Sequence, residues 1–262
     1  MVEGRGAGAG PARLTALGLP PAALAFALTA AFLAAFVRGL AGFGMAILLV
    51  PLLGLMILPV EAVVVSNLLG LLIGFSSLRQ TWSEADQGSA LTIGGLAMLA
   101  TPVGLALLHA TDPAWARLLI ALVAVLAFVL VLLPPRPDGH RPHIAETGAT
   151  GLAAGALTGF AGMPGPPVVP YYLRQSIPAA RARASMLIVF FATSLASSVA
   201  GVAMGMAGMQ QGLLALLLIG PIWIGNRLGG MAFGRVSDRA WRWLVALLLA
   251  ASGIAALVRL IP

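Results

Sequence analysis

Ten apolar stretches, separated by short polar or proline-containing segments, make up most of the chain. They cover roughly residues 21–37, 44–58, 60–78, 89–109, 114–133, 147–162, 164–173, 179–205, 210–227 and 239–260. A helix needs about 20 apolar residues to cross the core of a bilayer. Only 9% of the 262 residues are charged, which is too few to cover the surface of a water-soluble protein. The sequence therefore predicts an all-α, polytopic membrane protein.

Several chemistries are excluded by the residue types that the chain lacks. It contains no cysteine and no lysine, so thiolate metal sites, Schiff-base catalysis and a Walker-type phosphate loop cannot be encoded. The three histidines lie close to predicted loops, and we therefore predict no metal site and no cofactor. We attribute the net charge of +7 to arginines in the loops of a membrane protein and predict no binding of nucleic acid.

The arginines predict how the protein lies in the membrane. If all ten stretches cross, most arginines share one side, and the positive-inside rule makes that side cytoplasmic. Both termini are then external, residues 1–20 form a flexible tail, and the protein is a multi-pass protein of the cell inner (plasma) membrane. The arginines predicted to be cytoplasmic are Arg79, Arg136, Arg141, Arg174, Arg181, Arg183, Arg227, Arg235, Arg239 and Arg242.

A pattern of glycines and prolines occurs twice along the chain. Residues 38–44 read RGLAGFG and residues 158–164 read TGFAGMP, and a proline follows each segment at Pro51 and Pro170. Prolines within an apolar stretch predict short or broken helices at these turns. Five elements per copy is an odd number, so the two copies would be inverted in the membrane. We predict a first transmembrane repeat at 21–133, a cytoplasmic linker at 134–146 and a second repeat at 147–262.

The two copies, VRGLAGFGMAILLVPLL and LTGFAGMPGPPVVPYYL, resemble those of the TauE/SafE family of sulfite-exporter-type membrane proteins. The resemblance extends over nearly the whole chain after residue 20. It implies a transporter of small anions, such as sulfite, organosulfonates or related sulfur-containing or carboxylate anions. The chain departs from the family pattern where Met45 and Ala46 follow Gly44 and where prolines occupy part of the second run. These departures affect the identity of the expected substrate more than they affect the resemblance to the family.

The two glycine-rich turns are the candidate substrate site. Small residues let backbone N–H groups approach a ligand, and a helix that restarts after a turn directs its positive dipole end at an anion. Arg38 would add a charge, and nearby hydroxyl and amide side chains would complete the shell. The predicted substrate-binding residues are Arg38, Gly39, Gly42, Phe43, Gly44, Ser66, Asn67, Thr158, Gly159, Gly162, Met163, Gly165 and Ser185.

A purely structural interpretation stays open for many of these residues. Arg38 would extend to the membrane interface, and the polar side chains would bond between helices. Glu61 either couples transport to protons or favourably occupies the first turn of a helix, and Asn226 is predicted to anchor an interface. Close helix packing in the membrane would equally explain Gly39, Gly42, Gly159 and Gly162. A hydroxyl patch in the eighth stretch is open to both interpretations and comprises Thr193, Ser194, Ser197 and Ser198.

Taken together, these features predict a secondary transporter that moves a small anion by alternating access and has no enzyme activity. An anion channel shares every local feature, whereas a membrane-embedded enzyme would need a catalytic constellation that the spans do not offer. An assembly factor is left open. The predicted partners are the anionic substrate and the lipid bilayer, with a coupling proton or sodium ion and a homo-oligomer as open alternatives.

Overall fold

The computed structural model describes residues 20–131, 142–175 and 177–232, and these residues form nine helices and no strand. Five of the helices, α1, α3, α4, α8 and α9, are long and apolar enough to cross a membrane. This confirms the all-α, polytopic membrane fold. The helices are α1 (Pro21–Ala41), α2 (Met45–Leu53), α3 (Pro59–Glu84), α4 (Gln87–Ala110), α5 (Pro113–Val131), α6 (Ile144–Ala161), α7 (Gly165–Leu173), α8 (Ala179–Ala203) and α9 (Met209–Ala232).

Each of the first nine apolar stretches corresponds to one helix. The helices run past the apolar stretches where polar residues continue them, so α3 extends to Glu84 and α6 already begins at Ile144, within the segment assigned to the linker. Apolar composition marks the part of a helix inside lipid and not its hydrogen-bonded end. The tenth stretch at 239–260, most of the predicted N-terminal tail and residues 134–141 of the linker lie outside the described residues.

Two of the helices are too short to cross the membrane. At nine residues each, α2 and α7 are about 14 Å long, less than half of the bilayer core. Each follows a turn in which a glycine adopts the left-handed conformation, at Gly42 with φ +83° and at Gly162 with φ +70°. These glycines end the preceding helix, because their N–H groups bond back to Arg38 O (2.7 Å) and Thr158 O (2.8 Å).

The short helices extend toward opposite ends of the bundle. At the far end of α2, the carbonyl oxygen of Gly54 accepts a hydrogen bond from Arg117 Nε in the first turns of α5 (3.1 Å). At the far end of α7, the hydroxyl of Tyr172 bonds with that of Ser89 at the start of α4 (2.9 Å). Because α4 is about 36 Å long and α5 follows it directly, these two anchoring points lie at opposite ends.

Small residues allow two pairs of helices to approach until their backbones touch. A Cβ atom on Gly229 of α9 would lie 2.9 Å from the backbone N of Leu40 in α1. In the same way, a Cβ atom on Gly104 of α4 would lie 3.0 Å from the backbone N of Phe160 in α6. Glycine removes this obstruction and permits the close packing that stabilises helices in lipid. Each of these two contacts thus joins a helix of the first half of the chain to a helix of the second half.

The outer surface of the bundle is apolar. On α4, Leu99, Val103 and Leu107 repeat every four residues and are 74%, 60% and 57% exposed. Residues spaced in this way share one face of a helix. Such a face is suited to lipid acyl chains and would be unfavourable in water.

We predict that Gly104→Ala destabilises the protein by about 1–3 kcal/mol, the range expected for overpacking. The added methyl group would press on the backbone of Ala156 and Phe160. The matched control on the same helix is Gly95→Ala, because nothing lies within 4 Å of its Cβ position, and it should be neutral or slightly stabilising. Thermal unfolding in detergent measures both, and equal stability of the two variants would contradict the close α4–α6 contact.

Candidate functional site

A cavity of about 50 Å³ lies between the turns that follow α1 and α6. This is the volume open to the centre of a water-sized sphere. Since one water needs about 10–15 Å³ on this measure, the cavity has room for a few waters or for an anion of similar size. Its lining comes from both turns and from five helices, and consists of Arg38, Phe43, Gly44, Met45, Ala46, Ile47, Ser66, Asn67, Gly70, Gly162, Met163, Pro164, Gly165, Phe190 and Ser194.

Arg38 brings a positive charge to the wall of this cavity. Its side chain is only 9% exposed, and Nη1 donates a hydrogen bond to Oδ1 of Asn226 (3.0 Å). Asn226 is uncharged, and no carboxylate within the described ranges pairs with this guanidinium. A buried cation in a membrane is costly unless it finds a counter-charge or a ligand. The positive charge of Arg38 is therefore available to pair with an anion in the cavity.

The start of α2 adds backbone donors beside this charge. Gly44 precedes the helix in the left-handed conformation, with φ +97°. The first N–H group that bonds back to this turn is that of Leu48, to Gly44 O (3.3 Å). The amides of residues 45–47 precede this bond and have no acceptor within α2 itself, and all three residues line the cavity. The positive end of the α2 dipole thus faces the space beside Arg38.

The start of α7 faces the same cavity with a different chemistry. Pro166 and Pro167 follow Gly165 and have no N–H group to offer. The neighbouring lining residues Met163 and Phe190 are apolar. The half of the cavity formed by α1 and α2 therefore supplies the charge and most backbone donors, whereas the half formed by α7 and α8 is mainly an apolar wall.

Polar side chains from α3 and α8 complete the lining. Nδ2 of Asn67 donates to Val63 O in its own helix (3.0 Å). Ser66 is 2% exposed, and its hydroxyl has no hydrogen-bond partner among the described residues. Ser194 enters from α8, and its Oγ lies 2.7 Å from the Cβ position of Gly70. A hydroxyl that is buried beside a cavity without a partner is a donor available to a ligand.

Eight of the thirteen predicted substrate-binding residues line this cavity: Arg38, Phe43, Gly44, Ser66, Asn67, Gly162, Met163 and Gly165. The structure thus brings the two predicted turns, which are far apart in the chain, to one space. The other five predicted residues do not line it, and they are Gly39, Gly42, Thr158, Gly159 and Ser185.

Three of these five are glycines whose surroundings are structural. A Cβ on Gly39 would lie 2.8 Å from the backbone N of Gly230 in α9, and a Cβ on Gly159 would touch the backbone of Thr101 and Leu105 in α4. The packing interpretation therefore describes both glycines. Gly42 ends α1, and Arg183 Cγ lies 2.6 Å from its Cβ position.

The other two predicted residues use their hydroxyls elsewhere. Thr158 donates to Ala154 O in its own helix (2.7 Å). Ser185 donates to Arg181 O (2.8 Å) and accepts a hydrogen bond from the backbone N of Asp86 (2.8 Å). Ser185 thereby joins the start of α8 to the loop before α4, away from the cavity.

Glu61 lies at the start of α3 and does not line the cavity. One carboxylate oxygen accepts a hydrogen bond from the backbone N of Leu58 (3.0 Å), and the other accepts one from Nε2 of Gln211 in α9 (3.1 Å). These bonds match the stabilising role of an acid in a first helical turn. The coupling of protons through Glu61 stays a prediction.

Several residues that line the cavity were not predicted from the sequence. Gly70 follows Ser66 by four residues, and Phe190 precedes Ser194 by four, so helical spacing alone would have indicated both. Ser194 belonged to a hydroxyl patch whose role was left open. No local feature of the sequence indicated that Asn226 contacts Arg38, because the two residues are 188 positions apart in the chain.

Across the part of the chain that the structure describes, no group of three or more His, Asp or Glu side chains is placed to bind an ion. The chemistry of the site is that of a guanidinium, backbone amides, hydroxyls and one side-chain amide around a small space.

The fold and the cavity define a polytopic membrane protein with a small, partly polar cavity inside its helical bundle. Residues 27–256 match the family model described as Sulfite exporter TauE/SafE. The chain therefore belongs to this family of membrane transporters, which confirms the resemblance carried by its two turns. Comparisons with curated proteins and with solved structures returned no match.

We predict that Gly42→Ala lowers both the thermal stability of the protein and its affinity for an anion, whereas Gly205→Ala lowers the thermal stability alone. Both glycines have positive φ, +83° and +71°, so each alanine should cost about 1–2 kcal/mol in backbone strain. Only at Gly42 would the methyl group also displace Arg183, whose Nη2 donates to Gly39 O (3.0 Å).

Thermal unfolding in detergent, with and without sulfite, tests this prediction. Gly205→Ala should keep the stabilisation that the anion provides, and Gly42→Ala should lose most of it. Equal behaviour of the two variants would show that crowding at Arg183 has no bearing on the site.

Proposed function

We propose that this protein is a secondary transporter that moves a small, singly charged anion across the inner membrane by alternating access. The observation that carries the proposal is the buried guanidinium of Arg38, which lines the cavity and bonds only to an uncharged amide among the described residues. Membership of the transporter family supports the general function. The substrate, the mechanism and the membrane are the proposed parts.

Charge balance favours a monovalent substrate. Arg38 is the one charged residue in the cavity lining of the described structure. A single negative charge beside it gives a neutral complex, whereas a dianion would leave an uncompensated charge where the effective dielectric constant is low. We therefore expect hydrogensulfite, a small sulfonate or a small carboxylate to bind better than sulfate.

The binding mode follows from the placement of the donors. The anionic oxygens would face Arg38 and the amides at the start of α2, and the Ser66 hydroxyl would donate from α3. Charge-assisted hydrogen bonds of this kind are stronger than neutral ones. The apolar wall that includes Met163 and Phe190 would contact the uncharged part of the substrate.

A route out of the cavity is suggested by serines on α8. Ser197 and Ser198 follow Ser194 by three and four residues and therefore continue its face of the helix. They are 0% and 5% exposed, and neither hydroxyl has a hydrogen-bond partner in the described ranges.

This serine face packs against α3. Contacts join Gly70 to Ser194 and Val64 to Gly201, so the two helices are antiparallel and the serines lie opposite the turn of α3 that carries Ser66. Separation of α3 from α8 would expose the serine face to water and connect the cavity with the side that the arginine pattern predicts to be external. This closed polar contact supports alternating access.

We predict that Arg38→Ala reduces sulfite transport at least tenfold, equivalent to a loss of about 1.4 kcal/mol or more in anion interaction. The matched control is Arg79→Ala, which removes an exposed arginine of α3 and should leave transport near that of the original protein. The measurement is counterflow of labelled sulfite in proteoliposomes, where a carrier shows saturation and exchange. Unitary conductance without counterflow would favour a channel, and undiminished transport by Arg38→Ala would remove Arg38 from the site.

We also predict that a cysteine at position 198 becomes accessible from outside during transport. The chain contains no cysteine, so Ser198→Cys carries a unique thiol. The control is Val199→Cys. Val199 is 61% exposed on the apolar surface, so the thiol of this variant would face lipid. A membrane-impermeant methanethiosulfonate should modify the first variant and stop its transport, while the second stays unreactive. If neither cysteine reacts with the reagent during transport, the proposed route between α3 and α8 is contradicted.

A further inference from the structure

The hydrogen bond between Arg38 and Asn226 joins two helices at a point where their backbones touch. Gly39 follows Arg38, and its missing Cβ leaves room for the backbone of Asn226 and Gly230 in α9. Because the two backbones touch here, the short side chain of Asn226 can reach the guanidinium, with 3.0 Å between Nη1 and Oδ1. The contact of Gly39 thus fixes the position of α9 relative to the charge.

A second pair of helices, α4 and α6, makes the same backbone contact without the charge. A Cβ on Gly159 of α6 would touch the backbone of Thr101 and Leu105 in α4, as one on Gly39 would touch Asn226 and Gly230. Thr158 and Thr101 therefore occupy the positions of Arg38 and Asn226. Both threonines donate to carbonyl oxygens of their own helices, at 2.7 Å each, and close packing alone has no need of a cation and an amide.

We propose that Asn226 is a positioning residue that holds Arg38 at the cavity wall and, being uncharged, leaves the positive charge of Arg38 to the substrate. The inference rests on the proposed function and adds a residue that does not line the cavity. Its amide oxygen accepts from Nη1 and fixes the plane of the guanidinium, and the remaining N–H groups can then donate to an anion.

The neutrality of residue 226 is the essential property. A carboxylate at this position would satisfy the hydrogen bond equally well, but it would also neutralise the guanidinium. The buried pair would be more stable than a lone buried cation. An anion entering the cavity would then meet no net charge, so affinity should fall while the protein itself becomes no less stable.

Asn226→Asp tests this inference, because aspartate has nearly the shape of asparagine, keeps the accepting oxygen and replaces the amide NH2 group with a charged carboxylate oxygen. We expect sulfite to bind at least tenfold more weakly than to the original protein, while the melting temperature without ligand stays equal or rises. Asn226→Ser keeps a neutral acceptor and should bind sulfite at least tenfold more tightly than Asn226→Asp. Gln210→Glu makes the same change of charge at an exposed position of the same helix and should leave sulfite affinity unchanged.

The outcomes separate this inference from the function on which it rests. Binding is measured by isothermal titration of the purified protein with sulfite, beside melting in detergent. A parallel fall in affinity and melting temperature for Asn226→Asp, or its failure to fold, would indicate a structural role and overturn the inference. Equal affinities of Asn226→Asp and Asn226→Ser would overturn it as well. If the original protein shows neither sulfite binding nor counterflow, the proposed function fails for this anion whatever the variants do.

Discussion

A guanidinium inside a membrane must be compensated, and this requirement organises the centre of the structure. Arg38 lies in the last turn of α1, almost fully buried, and within the described residues its guanidinium donates a hydrogen bond to the amide oxygen of Asn226. The turn at Gly42 and Gly44 then reverses the chain and places the start of α2 beside the same charge. A cation, the first backbone amides of α2 and a small space are therefore found together, which is a combination that suits an anion.

The two halves of the chain have similar helix contacts and lengths, but they contribute different chemical groups to the cavity. Gly229 and Gly104 form similar backbone contacts, each between a helix of one half and a helix of the other, and α2 and α7 have equal lengths. Only one half carries Arg38, however, and Pro166 and Pro167 leave two of the first three residues of α7 without an amide donor. An inverted arrangement of the halves would explain the matched contacts and the opposite directions of the short helices. The unequal chemistry would orient a substrate that has one charged and one apolar end.

The helices and turns were predictable from the sequence because their causes are local. Apolar stretches marked nine helices, and the glycines and prolines marked the two breaks that meet at the cavity. The side chains around the cavity were only partly predictable. Ser185 and Thr158 matched the repeat but bond elsewhere, since a position in a repeat does not determine which way a hydroxyl donates. Asn226 was assigned to an interface, because only the packing of α1 on α9 shows that it reaches Arg38.

Anion binding at Arg38 is tested most directly by an electron cryo-microscopy map of the protein in a saturating concentration of a small sulfonate. We expect density for the anion within hydrogen-bond distance of the Arg38 guanidinium and of the first amides of α2, with the Asn226 contact preserved. Density for the anion at another place in the bundle, or an Arg38 side chain turned toward the membrane interface with an empty cavity behind it, would show that Arg38 does not hold the anion.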